Sequence, residues 1–322
     1  MKEDVLIKVD DLVVEYMKEK SVVHAVNGVS FSLRKGETLG LVGETGAGKT
    51  TIAKSILRIL PEHQAVIKNG CIVLGETNLL ECQESEMLKI RGSSISMIFQ
   101  DPMTALNPVA NVGHQIAEAV MLHNEVTRDE AWQRAGDMLE MVGIPRERAK
   151  EYPHQFSGGM KQRVVIAMSL ACNPELILAD EPTTALDVTI QAQVMDMISR
   201  LKTERNTSMI LITHDLGIVA ENCDRVAVIY AGEIVESGSR EEIFDNPSHP
   251  YTIGLFGALP DLSKRETRLH PIPGLPPDPS NLPEGCHFSP RCPKACSLCR
   301  EKEPSDILLG GSHRCRCHLF QE

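Results

Sequence analysis

The sequence predicts an α/β fold that has an antiparallel β subdomain, an inserted α-helical subdomain and an irregular cysteine-rich C-terminal extension. Short apolar runs at residues 37–42, 95–98 and 176–179 are typical of buried parallel strands. Apolar residues at helical spacing between residues 103 and 155 indicate an inserted group of helices. Six cysteines lie between residues 286 and 317, beyond the last predicted strand.

The composition of the 322-residue chain excludes several classes of protein. A net charge of −11 disfavours a nucleic-acid binder, and an aromatic content of 4% disfavours stacking platforms for single strands. The start of the chain lacks the basic and apolar regions of a signal peptide, and no uncharged apolar run approaches the roughly 20 residues that span a bilayer. We therefore expect a cytosolic chain, or one that reaches a membrane through partners. Ten cysteines in such a compartment favour metal or redox chemistry over disulfides.

The first predicted elements are strands. Residues 5–33 alternate apolar and polar side chains, which predicts antiparallel strands. Tyr16 ends one of them, before the polar turn at residues 17–20. Its ring is suited to stacking on an adenine, and an ordinary strand aromatic is the alternative.

A glycine-rich stretch follows the apolar run at residues 37–42 and matches the pattern G-x-x-x-x-G-K-[ST]. It lies between a predicted strand and a predicted helix at residues 52–60, which is the context that gives this pattern its meaning. Glycines leave main-chain N–H groups open to a phosphate, Lys49 reaches the β- and γ-phosphates, and the Thr50 hydroxyl ligates Mg²⁺. A ligand-free βα turn is the alternative. The phosphate-binding interpretation covers Gly43, Glu44, Thr45, Gly46, Ala47, Gly48, Lys49, Thr50 and Thr51.

The strand at residues 95–98 leads into Gln100, and Pro102 breaks it. Helical spacing then continues until Gly143 and Pro145 stop the last helix. We predict a helical subdomain over about residues 101–157, inserted between the phosphate loop and the next strand.

A second glycine-rich helix start follows at Ser157, Gly158 and Gly159. Ser157 has the side chain of an N-cap, and the two glycines bare the N–H groups behind it. Such a start binds an anion for the same reason as the first loop, although a plain capped helix explains these residues equally well. Gln162 belongs to the same stretch.

Two carboxylates end the apolar strand at residues 176–180. Asp180 and Glu181 are therefore expected at the carboxyl edge of a parallel sheet, where ligands bind. We predict that Asp180 holds Mg²⁺ and that Glu181 polarises an attacking water. His214 ends the next strand and is either a γ-phosphate sensor or a hydrogen-bonded structural residue. Residues 225–238 predict a closing hairpin.

These motifs occur in a fixed order, and over roughly residues 5–240 they resemble the nucleotide-binding subunits of ATP-binding-cassette (ABC) transporters. By that resemblance they are an A-loop at Tyr16, a Walker A loop at residues 43–51, a Q-loop at Gln100, a signature at residues 157–163, a Walker B strand at residues 176–181, a D-loop at Ala185, Leu186 and Asp187, and an H-loop at His214. Thr45 stands where Ser is usual and keeps a hydroxyl. Met160 stands where Gln is usual and leaves the backbone donors in place.

The resemblance implies a RecA-like P-loop NTPase core that binds ATP and Mg²⁺, with Thr50, Gln100 and Asp180 at the metal. It also implies Glu181, His214 and Gln100 as catalytic residues. Family members pair head to tail, so that Ser157, Gly158, Gly159 and Gln162 of one chain meet the ATP of the other. The implied partners are two transmembrane permeases, a second ATPase subunit and, indirectly, an extracytoplasmic solute-binding protein, with the chain peripheral on the cytoplasmic face of the membrane.

A narrower match is to the dipeptide/oligopeptide importers, on residues 99–108, 180–193, 249–252 and 285–292. It implies an ATPase subunit that powers peptide import, with an ABC domain at residues 1–245 and a C-terminal extension at residues 246–322. Nickel importers share much of the pattern, so nickel is the alternative cargo. A soluble ABC ATPase that acts without a membrane partner is a second hypothesis, and an ATP-binding switch without hydrolysis is a third.

The clustered thiols of the extension predict a soft-metal site, either zinc or an iron–sulfur cluster. Cys296 and Cys299 with Cys315 and Cys317 have the spacing of a zinc Cys₄ site. The resemblance to the peptide-importer tail instead implies a [4Fe–4S] cluster, and we predict that this cluster fixes an otherwise coil-like tail. The ligands that it implies are Cys286, Cys292, Cys299 and Cys317, which leaves Cys296 and Cys315 as extra thiols; free thiols or redox pairs are the third interpretation of the cluster.

Overall fold

The computed structural model of the protein describes residues 4–18, 21–184, 186–258 and 271–321. They divide into two compact units. The first unit comprises residues 4–6, 33–38 and 74–213, and the second comprises residues 7–32, 39–73 and 214–321. In the described part of the chain, no helix is both long and apolar enough to cross a lipid bilayer.

The strands follow the apolar runs of the sequence. They are β1 (Val5–Lys18), β2 (Ser21–Arg34), β3 (Thr38–Val42), β4 (Ala65–Leu74), β5 (Thr77–Asn78), β6 (Ile95–Ile98), β7 (Leu176–Asp180), β8 (Ser208–Ile212), β9 (Arg225–Tyr230), β10 (Glu233–Ser239), β11 (Asp306–Gly310) and β12 (His313–Arg316).

The helices fill the stretches between them. They are α1 (Lys49–Ile56), α2 (Glu84–Ile90), α3 (Pro102–Ala105), α4 (Val112–His123), α5 (Arg128–Met141), α6 (Gly158–Leu170), α7 (Val188–Arg205), α8 (Leu216–Asn222), α9 (Arg240–Asp245), α10 (Pro250–Gly257) and α11 (Leu298–Glu301).

Parallel strands form the sheet of the first unit, where β7 lies between β6 and β8. All residues of these three strands are buried, which explains why the sequence shows continuous apolar runs instead of alternation. Because parallel strands end at the same edge, the residues that follow β6 and β7 lie near one another. The prediction of buried parallel strands is confirmed for this unit.

Helices α4 and α5 belong to the first unit and pack against each other. Asn111 caps α4 by accepting a hydrogen bond from the His114 N–H at 2.8 Å, and Thr127 begins α5 with a capping box. Helix α5 ends at Met141, and Gly143 follows in the left-handed region with a φ of 76°. These are the helices that the sequence predicts, while the limits of about 101–157, 1–245 and 246–322 stay predictions.

The second unit contains the run of strands β11-β12-β10-β9-β3. Strand β3 pairs with β9 in parallel, and β9 and β10 form the predicted antiparallel hairpin. Ala231 and Gly232 make its two-residue turn with φ of 47° and 81°, which suits the right-handed twist of a hairpin. Strands β2, β1 and β4 lie side by side in another sheet.

The C-terminal extension is more regular than the sequence predicts. Strands β11 and β12 form a hairpin, and β12 pairs antiparallel with β10. Glu236 of β10 lies beside this pairing and is only 1% exposed. Its carboxylate lies 2.7 Å from His313 Nε2 and accepts hydrogen bonds from the N–H groups of Ser248 and His249. The expectation of a coil-like tail is wrong for this hairpin, because its strands alternate over too few residues to stand out in the sequence.

Replacing Glu236 with Ala should lower the free energy of unfolding by about 3 kcal/mol, because two main-chain N–H groups and an imidazole lose a buried acceptor. Urea denaturation of the full chain measures this change. The control is Glu241→Ala, which removes an exposed carboxylate and should leave the free energy of unfolding nearly unchanged. Equal effects of the two substitutions would contradict a central role for Glu236.

Candidate nucleotide site

The phosphate loop, residues 43–51, joins β3 to α1 in the second unit. Gly43 and Gly48 have φ of 154° and 103°. A Cβ atom at Gly43 would lie 2.1 Å from the Ile229 carbonyl oxygen, and one at Gly48 would lie 2.3 Å from that of Ala25. Only glycine permits this close approach. Helix α1 starts at Lys49 and ends at Ile56, so it begins and ends earlier than the predicted helix at residues 52–60.

Lys49 lies back over the phosphate loop. Its ammonium group donates hydrogen bonds to the carbonyls of Gly43 at 2.7 Å and Glu44 at 3.0 Å, and the residue is 6% exposed. The Tyr16 hydroxyl lies 3.3 Å from Thr51 Oγ1. The second unit therefore brings Tyr16, which the sequence nominates for adenine stacking, to the end of the predicted phosphate loop.

The first unit brings Gln100 and Glu181 together. Gln100 Nε2 donates a hydrogen bond to Glu181 Oε2 at 2.9 Å, and Thr184 Oγ1 donates to the same oxygen at 2.8 Å. Asp180, the last residue of β7, is 3% exposed. The sequence nominates Gln100 and Glu181 separately, and the parallel pairing of β6 with β7 explains why they meet.

Glu181 has a strained backbone. Its φ of 46° lies in the left-handed region, which is unfavourable for a residue with a Cβ atom. Its N–H donates to the Ile212 carbonyl at 2.8 Å, so the neighbouring strand β8 holds the strained conformation in place. Backbone strain of this kind clusters at functional sites because it fixes a side chain in one direction.

The second glycine-rich helix start is the N-terminus of α6. Ser157 caps it, since Oγ accepts a hydrogen bond from the Met160 N–H at 3.4 Å. A Cβ atom at Gly158 would meet no heavy atom of the described chain within 4 Å, so the glycine leaves open space there. Gln162 is 2% exposed, and its Nε2 has no hydrogen-bond partner among the described residues. The assignment of Gln162 to the nucleotide stays a prediction.

The remaining motifs lie at the ends of strands and helices. His214 follows β8 by two residues, and Asp215 caps α8 by accepting hydrogen bonds from the N–H groups of Gly217 and Ile218. Asp187 caps α7. Ala185 of the predicted D-loop lies outside the described residues. Tyr16, the phosphate loop and His214 belong to the second unit, and Gln100, Ser157, Asp180 and Glu181 belong to the first.

The thiols that the resemblance nominates as ligands lie near one another in the second unit. Burial, together with the nearby thiols of Cys299, Cys317 and Cys292, raises the pKa of Cys286 to about 11. Burial and the charge on Cys299 also raise the pKa of Cys292, and burial and the charge on Cys292 and Cys299 raise the pKa of Cys317. Cys286 N–H donates to the Cys299 carbonyl at 2.8 Å. The exposed Cys296 lies 3.5 Å, sulfur to sulfur, from Cys299.

The structure also gathers Glu233, His287 and Glu303, whose ligand atoms lie within 4.8 Å of one another. No sequence pattern indicates this group. Burial raises the pKa of Glu233 to about 7, which the nearby Arg316 opposes. Arg316 Nη2 lies 3.2 Å from the Glu233 carboxylate and 3.0 Å from that of Glu303. A cationic side chain is therefore already present between the two acids.

Two further contacts have no signal in the sequence. Thr184 follows Glu181 by three residues and resembles any exposed loop threonine until its hydroxyl is seen on the Glu181 carboxylate. Arg291 of the extension binds the carboxylate of Glu44 in the phosphate loop, although the two are 247 positions apart. Only the folded chain reveals such a pair.

The fold and these motifs define an ATP-binding cassette. The family model described as ABC transporter matches residues 26–184, and the model described as oligopeptide/dipeptide transporter, C-terminal region, matches residues 235–299. Among solved structures, the post-hydrolysis dimer of the ATP-binding cassette MJ0796 bound to ADP and Pi is similar. Its TM-score is 0.66 at 25% identity, over 73% of this chain and 98% of that one.

Curated relatives match almost the whole chain. The dipeptide transport ATP-binding protein DppD of Bacillus subtilis is 48% identical over 98% of this chain and 94% of its own length. The oligopeptide transport ATP-binding protein OppD of Salmonella typhimurium is 47% identical over 97% and 93%. The chain therefore belongs to the ABC transporter ATP-binding proteins, in the branch with the oligopeptide/dipeptide C-terminal region, and it is an ABC-type ATPase.

Because Glu181 has a left-handed backbone, we expect glycine to be more stable than alanine at this position, the reverse of the usual order. Glu181→Gly should be more stable than Glu181→Ala by about 1 kcal/mol, because glycine adopts positive φ without strain. The matched control is Glu175, which does not have positive φ. There the glycine variant should be the less stable of the two, by about 0.5–1 kcal/mol. Chemical denaturation of the four variants measures both differences, and the same order at both positions would contradict the strain at Glu181.

Proposed function

We propose that this chain is the ATP-hydrolysing subunit of a membrane ABC transporter that imports dipeptides or oligopeptides. The proposal depends on the similarity to peptide transport ATP-binding proteins, which reaches 46–50% identity over almost the full length. This chain also contains the C-terminal region that distinguishes this branch. Nickel is the alternative cargo because nickel importers share part of the sequence pattern, whereas DppD and OppD carry peptide names.

The residues of the phosphate loop supply the groups that a nucleotide requires. We assign the main-chain N–H groups of the loop and the Lys49 ammonium to the β- and γ-phosphates, and Tyr16 to the adenine. Hydroxyl, amide and carboxylate oxygens suit Mg²⁺, which assigns Thr50, Gln100 and Asp180 to the metal. The charge of the polyphosphate is then matched by an ammonium, a metal ion and oriented peptide dipoles.

Glu181 is the group that we assign to the attacking water. Gln100 and Thr184 both donate to its Oε2, so the direction of the carboxylate is set by two neighbours. A carboxylate held in one direction orients the water for attack in line with the leaving group. His214 is assigned to the γ-phosphate, where an imidazole N–H donates to a developing charge.

The working unit in this proposal is a pair of ATPase chains. Ser157, Gly158 and Gly159 of one chain meet the γ-phosphate held by the Walker A loop of the other. ATP supplies the negative charge that draws two helix N-termini together, and hydrolysis removes it. We propose a homologous sister subunit as the second chain and two permeases as the membrane partners, on the cytoplasmic face, with an extracytoplasmic solute-binding protein delivering the cargo.

The cargo assignment predicts that peptide stimulates ATP turnover. The chain is reconstituted in lipid vesicles with its sister ATPase, permeases and binding protein, and phosphate release is measured. Peptide-loaded binding protein should raise the rate several-fold, and Glu181→Gln should retain ATP and lower turnover by about 10³-fold or more. Glu175→Gln is the control, since Glu175 is exposed and lies at the opposite end of β7.

Two outcomes would contradict this proposal in different ways. Stimulation by nickel but not by peptides would retain the ATPase and replace the cargo. Unchanged hydrolysis in Glu181→Gln would remove the assigned role of Glu181.

We also propose that Cys286, Cys292, Cys299 and Cys317 hold a [4Fe–4S] cluster that fixes the extension. None of these four thiols is exposed, whereas the zinc set includes the exposed Cys296. Thiolate ligands suit iron–sulfur clusters and zinc alike, and the cluster would act as a structural clip. Burial keeps these thiols protonated until a metal binds.

Anaerobically purified protein should contain about four iron atoms per chain and absorb broadly near ~400 nm. Cys286→Ser should abolish both signals, because it removes one of four ligands. Cys296→Ser should leave both unchanged, since the nearby Cys296 is outside the proposed set. Stoichiometric zinc without iron would favour the zinc site, and loss of iron in Cys296→Ser would contradict the ligand assignment.

A further inference from the structure

Glu44 of the phosphate loop is fixed by contacts to each of its polar groups. Its N–H donates a hydrogen bond to the Tyr251 hydroxyl at 2.9 Å. Its carbonyl oxygen accepts from the Lys49 ammonium at 3.0 Å and from the Ala47 N–H at 3.2 Å. Its carboxylate accepts two hydrogen bonds from Arg291, at 2.7 and 3.0 Å. Residues outside the loop therefore hold both its main-chain N–H, through Tyr251, and its carboxylate, through Arg291.

The guanidinium of Arg291 is itself held in place. Arg291 is 7% exposed, and its Nε donates to the Pro273 carbonyl at 3.0 Å. Nη1 lies 3.4 Å from the Tyr230 hydroxyl. The Tyr230 ring packs against Phe288, with ring centroids 5.2 Å apart. Phe288 and Arg291 lie on the same short segment of the extension. That segment therefore contacts the rest of the second unit at two places, the Tyr230 ring and the Glu44 carboxylate.

We propose that Arg291 is a positioning residue of the nucleotide site, supplied by the C-terminal extension and acting through Glu44. Two parallel N–H···O bonds fix both the position and the rotation of a carboxylate. The carbonyl of Glu44 in turn accepts a hydrogen bond from Lys49. The Arg291–Glu44 pair therefore fixes the loop conformation in which Lys49 is placed to bind the phosphates. Pre-organisation of a binding loop lowers the ordering cost of binding. The inference rests on the proposed function, since it requires that this loop binds ATP.

A positioning role and a direct electrostatic effect predict opposite changes in ATP affinity when Glu44 loses its charge. If the charges acted directly on the nucleotide, removing the negative charge of Glu44 would strengthen the binding of an anion. If the pair acts by positioning, Glu44→Gln weakens binding, because an amide cannot accept both hydrogen bonds of the guanidinium. A role confined to folding would lower the unfolding temperature and leave the ATP affinity of the folded protein unchanged.

The experiment compares Arg291→Gln, Glu44→Gln and the double variant in the full-length chain. Calorimetry measures the Kd of Mg-ATP, and steady-state hydrolysis with the sister subunit gives KM and kcat. Each single substitution should raise Kd and KM about tenfold and change kcat by less than about twofold, because Glu181 and Gln100 are untouched. The double variant should be no weaker than the weaker single variant, since both remove one interaction.

The matched control is Arg300→Gln, which removes an exposed arginine of the same extension and should leave Kd and KM unchanged. Arg291→Lys keeps the charge but loses the fork, and should also weaken binding. If Arg291→Gln does not fold, the isosteric Glu44→Gln decides alone. Three results would overturn the inference: wild-type ATP affinity in the single variants, tighter ATP binding in Glu44→Gln, or a double variant whose loss of affinity is the product of the two single losses. Absence of ATP binding in the wild-type chain would instead overturn the proposed function, and this inference with it.

Discussion

The close approach of the phosphate loop to neighbouring main chain is the constraint on which the candidate site depends. Gly43 and Gly48 lie so near the carbonyls of Ile229 and Ala25 that a Cβ atom fits at neither position. The Gly232 N–H also donates to the Ala47 carbonyl at 3.0 Å. The loop is thus shaped by backbone contacts, which vary little with side-chain packing. The same lack of side chains leaves its N–H groups open to phosphate.

A fixed carboxylate is the complementary feature in the first unit. Glu181 has a conformation that a glycine would adopt more readily, and its carboxylate is held by Gln100 and Thr184. An unstrained loop would be more stable, but it would let the carboxylate move. Strain that hydrogen bonds maintain is the usual cost of a preorganised functional group. Under the role proposed for Glu181, stability and function are in opposition at this residue, in contrast to the glycines of the phosphate loop, where both require the same residue type.

The C-terminal extension is joined to the rest of the second unit by strand pairing, by buried charged groups and by a contact with the phosphate loop. Strand β12 extends the sheet at β10, and Glu236 binds His313 beside that pairing. Arg291 binds Glu44 of the phosphate loop. It immediately precedes Cys292, a proposed ligand of the cluster. A change in the cysteine segment therefore has a short physical route to Lys49. In the proposed positioning role of Arg291, this arrangement gives the extension a part in nucleotide binding that a separate stabilising tail would lack.

The sequence by itself determined the local elements: the buried parallel strands, the glycine-rich loop with its flanks, the capped start of α6 and the carboxylates after β7. Each follows from periodicity or from residue types at fixed short spacing, which a single chain displays directly. Tertiary structure alone decided the burial of Gln162, the hairpin of β11 and β12, and the pairing of Arg291 with Glu44 across 247 positions. Such features depend on which distant segments meet, and one sequence has no periodic signal for a contact that forms only once.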